Sequence, residues 1–133
     1  MRKLRVVTLV DRPTVTGGAE RLAVQVAARL DRNRFESILC ASRRTDEPLL
    51  DRELAEAGVE VLANAPRSNL DVRAWRPLVR RLDEVDVVHA HKGIAHSLAL
   101  EATFLGARKP AIVVNRGVSF PLDVFSRAKY HVR

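Results

Sequence analysis

The sequence predicts an α/β fold in which a parallel sheet is doubly wound, with helices on both faces. Three observations carry that prediction. Short β-branched, apolar runs recur along the chain, amphipathic runs at helical spacing separate them, and Gly or Pro stands at several junctions. Strands that alternate with helices pair in parallel, because a crossover containing a helix returns the chain to the same end of the sheet.

Each element follows in order. Leu4 to Val10, Leu-Arg-Val-Val-Thr-Leu-Val, is bounded by Asp11, Arg12 and Pro13 and reads as the first strand. From Ala19, apolar positions Leu22, Ala23, Val26, Ala27 and Leu30 mark a helix that the polar run Asp31 to Arg34 ends. Phe35 to Ala41 is the second strand. Pro48 opens a helix through Ala57, with Leu49, Leu50 and Leu54 on its buried side and Gly58 at its end, the order that helix ends prefer. Val59 to Leu62 is a short third strand.

After the loop Ala63 to Leu70, the residues Val72, Trp75, Leu78, Val79 and Leu82 mark a third helical face. Pro77 would break a hydrogen bond in mid-helix, so the regular helix starts near it. Asp86 to His91 is the fourth strand, Ile94 to Leu105 a helix closed by Gly106, and Ala111 to Asn115 the fifth strand. The tail from Val118 carries no strand, with a helix over Leu122 to Tyr130. The expectation is one Rossmann-like domain over residues 1–133, cut short before its last strand, with the fifth strand left as an edge.

Composition narrows the function. A chain of 133 residues that is 47% hydrophobic and 29% charged reads as a globular domain and not as a disordered one. Its net charge of +7 favours phosphate-bearing partners. Aromatic residues make up 5%, and none interleave with basic runs as they do in single-strand binders, so nucleic acid is not expected. The single cysteine, Cys40, has no partner for an internal disulfide and reads as a buried thiol in a reducing compartment. Arg2, Lys3 and Arg5 precede too short an apolar run for a signal peptide or a membrane span, so a cytoplasmic location is expected.

In an open sheet of this kind the ligand lies beyond the carboxyl ends of the strands, where strand order reverses. The sequence places there Thr16-Gly17-Gly18, Ser42 to Arg44, His91 to Gly93, and Arg116-Gly117. Gly17 and Gly18 lack a Cβ, permit a turn with positive φ, and let a ligand approach the backbone at a helix N-terminus that favours anions. Turning the chain is their plainer reading. Glu20, in the first helical turn, suits the helix dipole.

His89 and His91 fall on one side of their strand, with His96 nearby. No acidic or cysteine cluster supports them, so no metal is expected; His89 reads as a satisfied core residue and His91, at the strand end, as the functional candidate. Arg73, Arg76, Arg80 and Arg81 give the third helix a basic outer face, either solvated or drawn to anionic lipid headgroups. Arg43 and Arg44 raise an alternative, an NADP-dependent oxidoreductase holding a 2′-phosphate. The turn lacks G-x-G-x-x-G spacing, and no acidic residue ends the second strand to take a ribose hydroxyl.

Three segments in order, Thr16 to Arg21 (Thr-Gly-Gly-Ala-Glu-Arg), Asp86 to His91 (Asp-Val-Val-His-Ala-His) and Asn115 to Leu122 (Asn-Arg-Gly-Val-Ser-Phe-Pro-Leu), resemble the amino-terminal half of a family 4 glycosyltransferase of the GT-B type. The resemblance implies two Rossmann-like domains across a cleft. This one would take the acceptor; the donor-binding domain, with the family's paired glutamates, is absent from the sequence, and this half alone would be inactive. Gly17 and Gly18 match the turn that approaches the donor diphosphate. His91 matches the histidine near the transferred sugar, and Arg116 a basic position facing the acceptor; these two are the catalytic candidates. The resemblance implies transfer from a nucleotide-sugar, with retention of configuration, to a glycan or lipid-linked acceptor, at the inner face of a membrane or in the cytoplasm. It calls for no cofactor beyond the nucleotide-sugar as co-substrate. A non-catalytic binding fragment is the remaining alternative.

Overall fold

The computed structural model describes residues 1–43, 45–63, 73–74 and 76–115. The elements run β1 (Leu4–Val10), α1 (Ala19–Arg29), β2 (Phe35–Ala41), α2 (Pro48–Glu56), β3 (Glu60–Ala63), α3 (Arg76–Leu82), β4 (Val87–His91), α4 (Lys92–Leu105) and β5 (Ala111–Asn115). The strands form one sheet in the order β3-β2-β1-β4-β5. Every neighbouring pair is parallel. The chain thus winds outward from β1 in one direction, then returns and winds outward in the other from β4. Strand order reverses between β1 and β4.

Alternation along the central strands supplies a core to each face. In β2, Ile38 and Cys40 face a cluster with Val7, Leu9, Val88, Ala90, Leu78 and Leu82. Leu39 and Ala41 face the opposite cluster, with Val10, Ala23, Val24, Ala27, Leu50 and Leu54. Burial on both faces explains why these strands read as continuous apolar runs. Each fully buried Leu or Val contributes about 1.5–3 kcal/mol. Cys40 is wholly inside this core, and burial pushes its thiol up to about 12, which leaves it inert as a nucleophile.

Several expectations shift on contact with the fold, among them the start of α4, which falls at Lys92 and not at Ile94. The third strand starts one residue late, because the Val59 amide donates to Leu54 O at 2.9 Å in the last turn of α2; pairing with β2 then begins at Ile38 and Glu60. The buried face of α1 is Ala23, Val24 and Ala27, whereas Leu22 is 42% exposed. In α2, Leu50 and Leu54 are buried but Leu49 is turned out at 71% exposure. Pro48 and Gly58 frame α2 as the sequence implies: proline stands in its first turn, and Gly58 follows it at φ 59°, a left-handed conformation that favours glycine. Pro77 takes the second position of α3, where its missing N–H costs no helical bond.

Candidate functional site

The crevice between β1 and β4 opens at the carboxyl ends of both strands, and both of the following helices begin there. The loop from β1 to α1 is braced before it arrives. The Val15 amide donates to Glu47 Oε2 at 2.9 Å, the Thr45 hydroxyl donates to Pro13 O at 2.8 Å, and the Thr16 amide donates to Thr14 Oγ1 at 3.2 Å. Gly17 lies at φ 93°, so it makes the turn that only glycine makes freely. Gly18 does not share that role. It caps α1 at φ −75°, and a Cβ built there would meet nothing within 4 Å. The missing side chain of Gly17 serves the backbone, and that of Gly18 leaves an open approach to the helix end.

No side chain caps the N-terminus of α1 by hydrogen bond. Its first amides carry the positive end of the helix dipole, which suits an anion. On the other side of the crevice the chain passes from β4 into α4 without a loop. His91 is the last strand residue and Lys92 the first helical one, at φ 69°. The first turn of α4 carries no acidic residue. Lys92 Nζ reaches across to Glu20 Oε1 in the first turn of α1, tying the two helix starts together. That contact, and the carboxylate's own backbone amide, hold Glu20 below the usual carboxylate range.

His91 is 2% exposed, and neither Nδ1 nor Nε2 has a hydrogen-bond partner. Burial, with a smaller contribution from His89, pushes it down to about 4, so the ring is neutral at pH 7. The ring of His89 lies 4.3 Å away, centroid to centroid, on the same side of the strand. His89 is partly exposed and is not the core residue the sequence suggested. Thr8, opposite His89 in register, is wholly buried with its hydroxyl likewise unpartnered. Unpartnered buried polar atoms are uncommon enough in native proteins to require an explanation. Among the described residues all of them lie on β1 and β4, the two strands that flank the crevice.

The remaining predicted positions divide. Arg73 lies in a turn before α3 and Arg76 begins the helix; both are exposed, as is Arg80. Arg81 is diverted: it pairs with Glu60 at 2.5 Å and Glu84 at 3.6 Å. Arg43 pairs with Asp11 at 3.6 Å. Arg116, Arg44 and Trp75 lie outside the described residues. Asn115, which ends β5, stands beside His91 in register. Among the described residues no three His, Cys, Asp or Glu side chains gather as a metal site would require. Lys92 is not among the sequence-predicted site residues, and its contact with Glu20, 72 positions away, has no local signal in the sequence.

A cleft of about 360 Å³ lies at the opposite end of the sheet, lined by Arg5, Arg32, Arg81, Glu36, Glu60 and Glu84. Most of its charges are already joined to one another, Arg5 to Glu36 at 2.6 Å and to Glu84 at 2.7 Å. The carboxyl end of β1 and β4 instead holds the unpartnered atoms of Thr8 and His91.

The sequence model of Glycosyltransferase Family 4 matches residues 16–131. The chain belongs to that family. No curated protein and no solved structure matches it closely enough to add to this assignment. The family 4 match begins at Thr16 and so takes in the glycine turn, the Glu20–Lys92 contact and His91. Among the described residues no helix is long and apolar enough to cross a membrane.

Proposed function

We propose that this family 4 domain is the acceptor-side half of a nucleotide-sugar-dependent glycosyltransferase, and that the β1–β4 crevice receives the donor's diphosphate. One observation carries the reading: the α1 N-terminus without a side-chain cap, the open approach at Gly18 and the two unpartnered nitrogens of His91 share one crevice. In the reaction the bond from the sugar's anomeric carbon to the phosphate oxygen breaks and an acceptor hydroxyl takes its place, with retention of configuration. Negative charge grows on the departing diphosphate. Preorganised dipoles aimed at such charge are commonly the largest catalytic contribution. A neutral His91 supplies one N–H donor and one acceptor for sugar hydroxyls.

Arg116 would face the acceptor, and a second domain would hold the rest of the donor. The reading calls on no metal and on no cofactor beyond the nucleotide-sugar. Amide spectra recorded while nucleoside diphosphates are titrated in should move at Gly17 to Arg21 and at His91, and should not move with the nucleosides alone. A response confined to NADPH and centred on Arg43 would replace the reading with the oxidoreductase.

The acceptor is proposed to be a glycan or lipid-linked molecule met at the inner face of an anionic membrane. The net charge of +7 and the exposed Arg73, Arg76 and Arg80 favour this. Each basic residue near such a surface contributes about 1 kcal/mol, so replacing all three with serine should lower partition onto anionic vesicles about 100-fold at low salt. Partition that survives the triple replacement would remove the membrane from the proposal. Replacing Arg81, already held by Glu60 and Glu84, should change little.

A further inference from the structure

Among the described residues, three carboxylates lie on or against the segment that follows β1, and two of them brace the fold. Asp11 holds Arg43, and Glu47 holds the amide of Val15. The third is different. Glu20 sits in the first turn of α1, accepts from its own backbone amide, and meets Lys92 from the far side of the crevice. It occupies the position that an incoming anion would want. A carboxylate there repels a diphosphate unless a cation offsets it, and Lys92 is that cation.

The backbone at Lys92 sharpens the point. A left-handed conformation suits glycine and disfavours a lysine, while an exposed ion pair returns little. Stability therefore gives no reason for lysine at this position. Its ammonium carries three donors, which suits it to share oxygens from a carboxylate and a phosphate. Beside it, independently, stands the His91 ring, 2% exposed and with both nitrogens unpartnered. A buried ring with spare donor and acceptor capacity is itself a sign that the crevice receives something polar.

We propose that Lys92 is a phosphate-binding cation of the crevice, parked on Glu20 when no ligand is bound and shared with the diphosphate when it enters. Glu20 acts as the internal competitor that sets how tightly the anion is held. The inference rests on the proposed diphosphate site and adds to it a named cation and a regulator of affinity.

Inorganic pyrophosphate is the probe, titrated into the chain and followed by calorimetry and amide spectra at low salt. Lys92→Met should weaken binding at least tenfold and Lys92→Arg should retain most of it. Glu20→Gln should tighten binding several-fold, because the competitor is gone and the cation remains. Lys92→Gly should melt at the same temperature as the native chain or higher while losing affinity as Lys92→Met does. If Glu20→Gln and Lys92→Met weaken binding together, the pair is a structural tie and the proposal is overturned. It is equally overturned if the native chain binds and Lys92→Met binds as well. Failure of the native chain to bind pyrophosphate at all overturns the crevice as an anion site along with it.

Discussion

The two ends of the sheet are built from similar residues and treat them oppositely. At the amino ends of the strands, charges are closed into a chain: Arg2 meets Asp86 at 2.6 Å, Arg5 meets Glu36 and Glu84, and Arg81 meets Glu60 and Glu84. Asp86 also accepts from the Arg5 amide at 2.9 Å. At the carboxyl ends, Thr8 and His91 are buried without partners, and one lysine spans the crevice to one carboxylate. Satisfied polar groups fix a fold, while a buried unsatisfied group calls for an explanation such as a bound water, an ion, strain or a ligand. On the proposed reading, the first end serves stability and the second serves binding.

Acid separates the two ends. His91 is pushed down to about 4 by burial, and His89 is lowered by the same cause. Between the ordinary histidine value and about 4, the unfolded chain binds a proton that the folded chain refuses, so stability falls as pH falls through that window. Full loss from His91 is about 3 kcal/mol. Asp86 is held below the usual carboxylate range by the Arg5 amide and by Arg2. Its contribution persists above the unfolded aspartate value and is lost only as pH drops through its folded one. Denaturant melts at pH 7, 5 and 4 should therefore show stability falling through the histidine window, before Asp86 titrates. His91→Leu should flatten most of that slope and leave stability at pH 7 unchanged or raised, since it deletes a buried ring whose polar atoms have no partners. An unaltered slope in His91→Leu would mean that the buried histidine is not what the acid attacks.

The same contrast explains what the sequence could reveal. β1, β2 and β5 have the predicted bounds because their limits are local: Pro13, the polar run before Phe35, and Pro110 each stop the chain where they stand. The faces of α1 and α2 were less legible. Counting apolar residues favours Leu22 and Leu49, but which side meets the sheet depends on how the helix is laid down, and small Ala23 and Ala27 let α1 lie close. The glycine turn after β1 and the place of His91 at the end of β4 could be read from the order strand, turn, helix. The Glu20–Lys92 contact could not, because 72 positions separate its partners and nothing local announces a left-handed lysine. The lower charge chain was hidden for the same reason, with Arg5 and Glu84 79 positions apart.

The finest test of the comparison lies within two adjacent residues. Gly17 needs its glycine for the backbone, at φ 93°, although a Cβ would come no closer than 3.9 Å to Thr14. Gly17→Ala should therefore cost about 1–2 kcal/mol of stability from the left-handed conformation alone. Gly18 lies at φ −75° with open space around it, so Gly18→Ala should cost no more than about 0.5 kcal/mol. Its effect belongs to binding, where a methyl group stands in the path of any anion approaching the α1 amides. Thermal melts and pyrophosphate titrations of the two variants should give opposite rankings, Gly17→Ala the worse in stability and Gly18→Ala the worse in affinity beyond what stability explains. Equal losses on both scales would mean that the turn serves only to turn the chain, and the carboxyl end would then resemble the amino end after all.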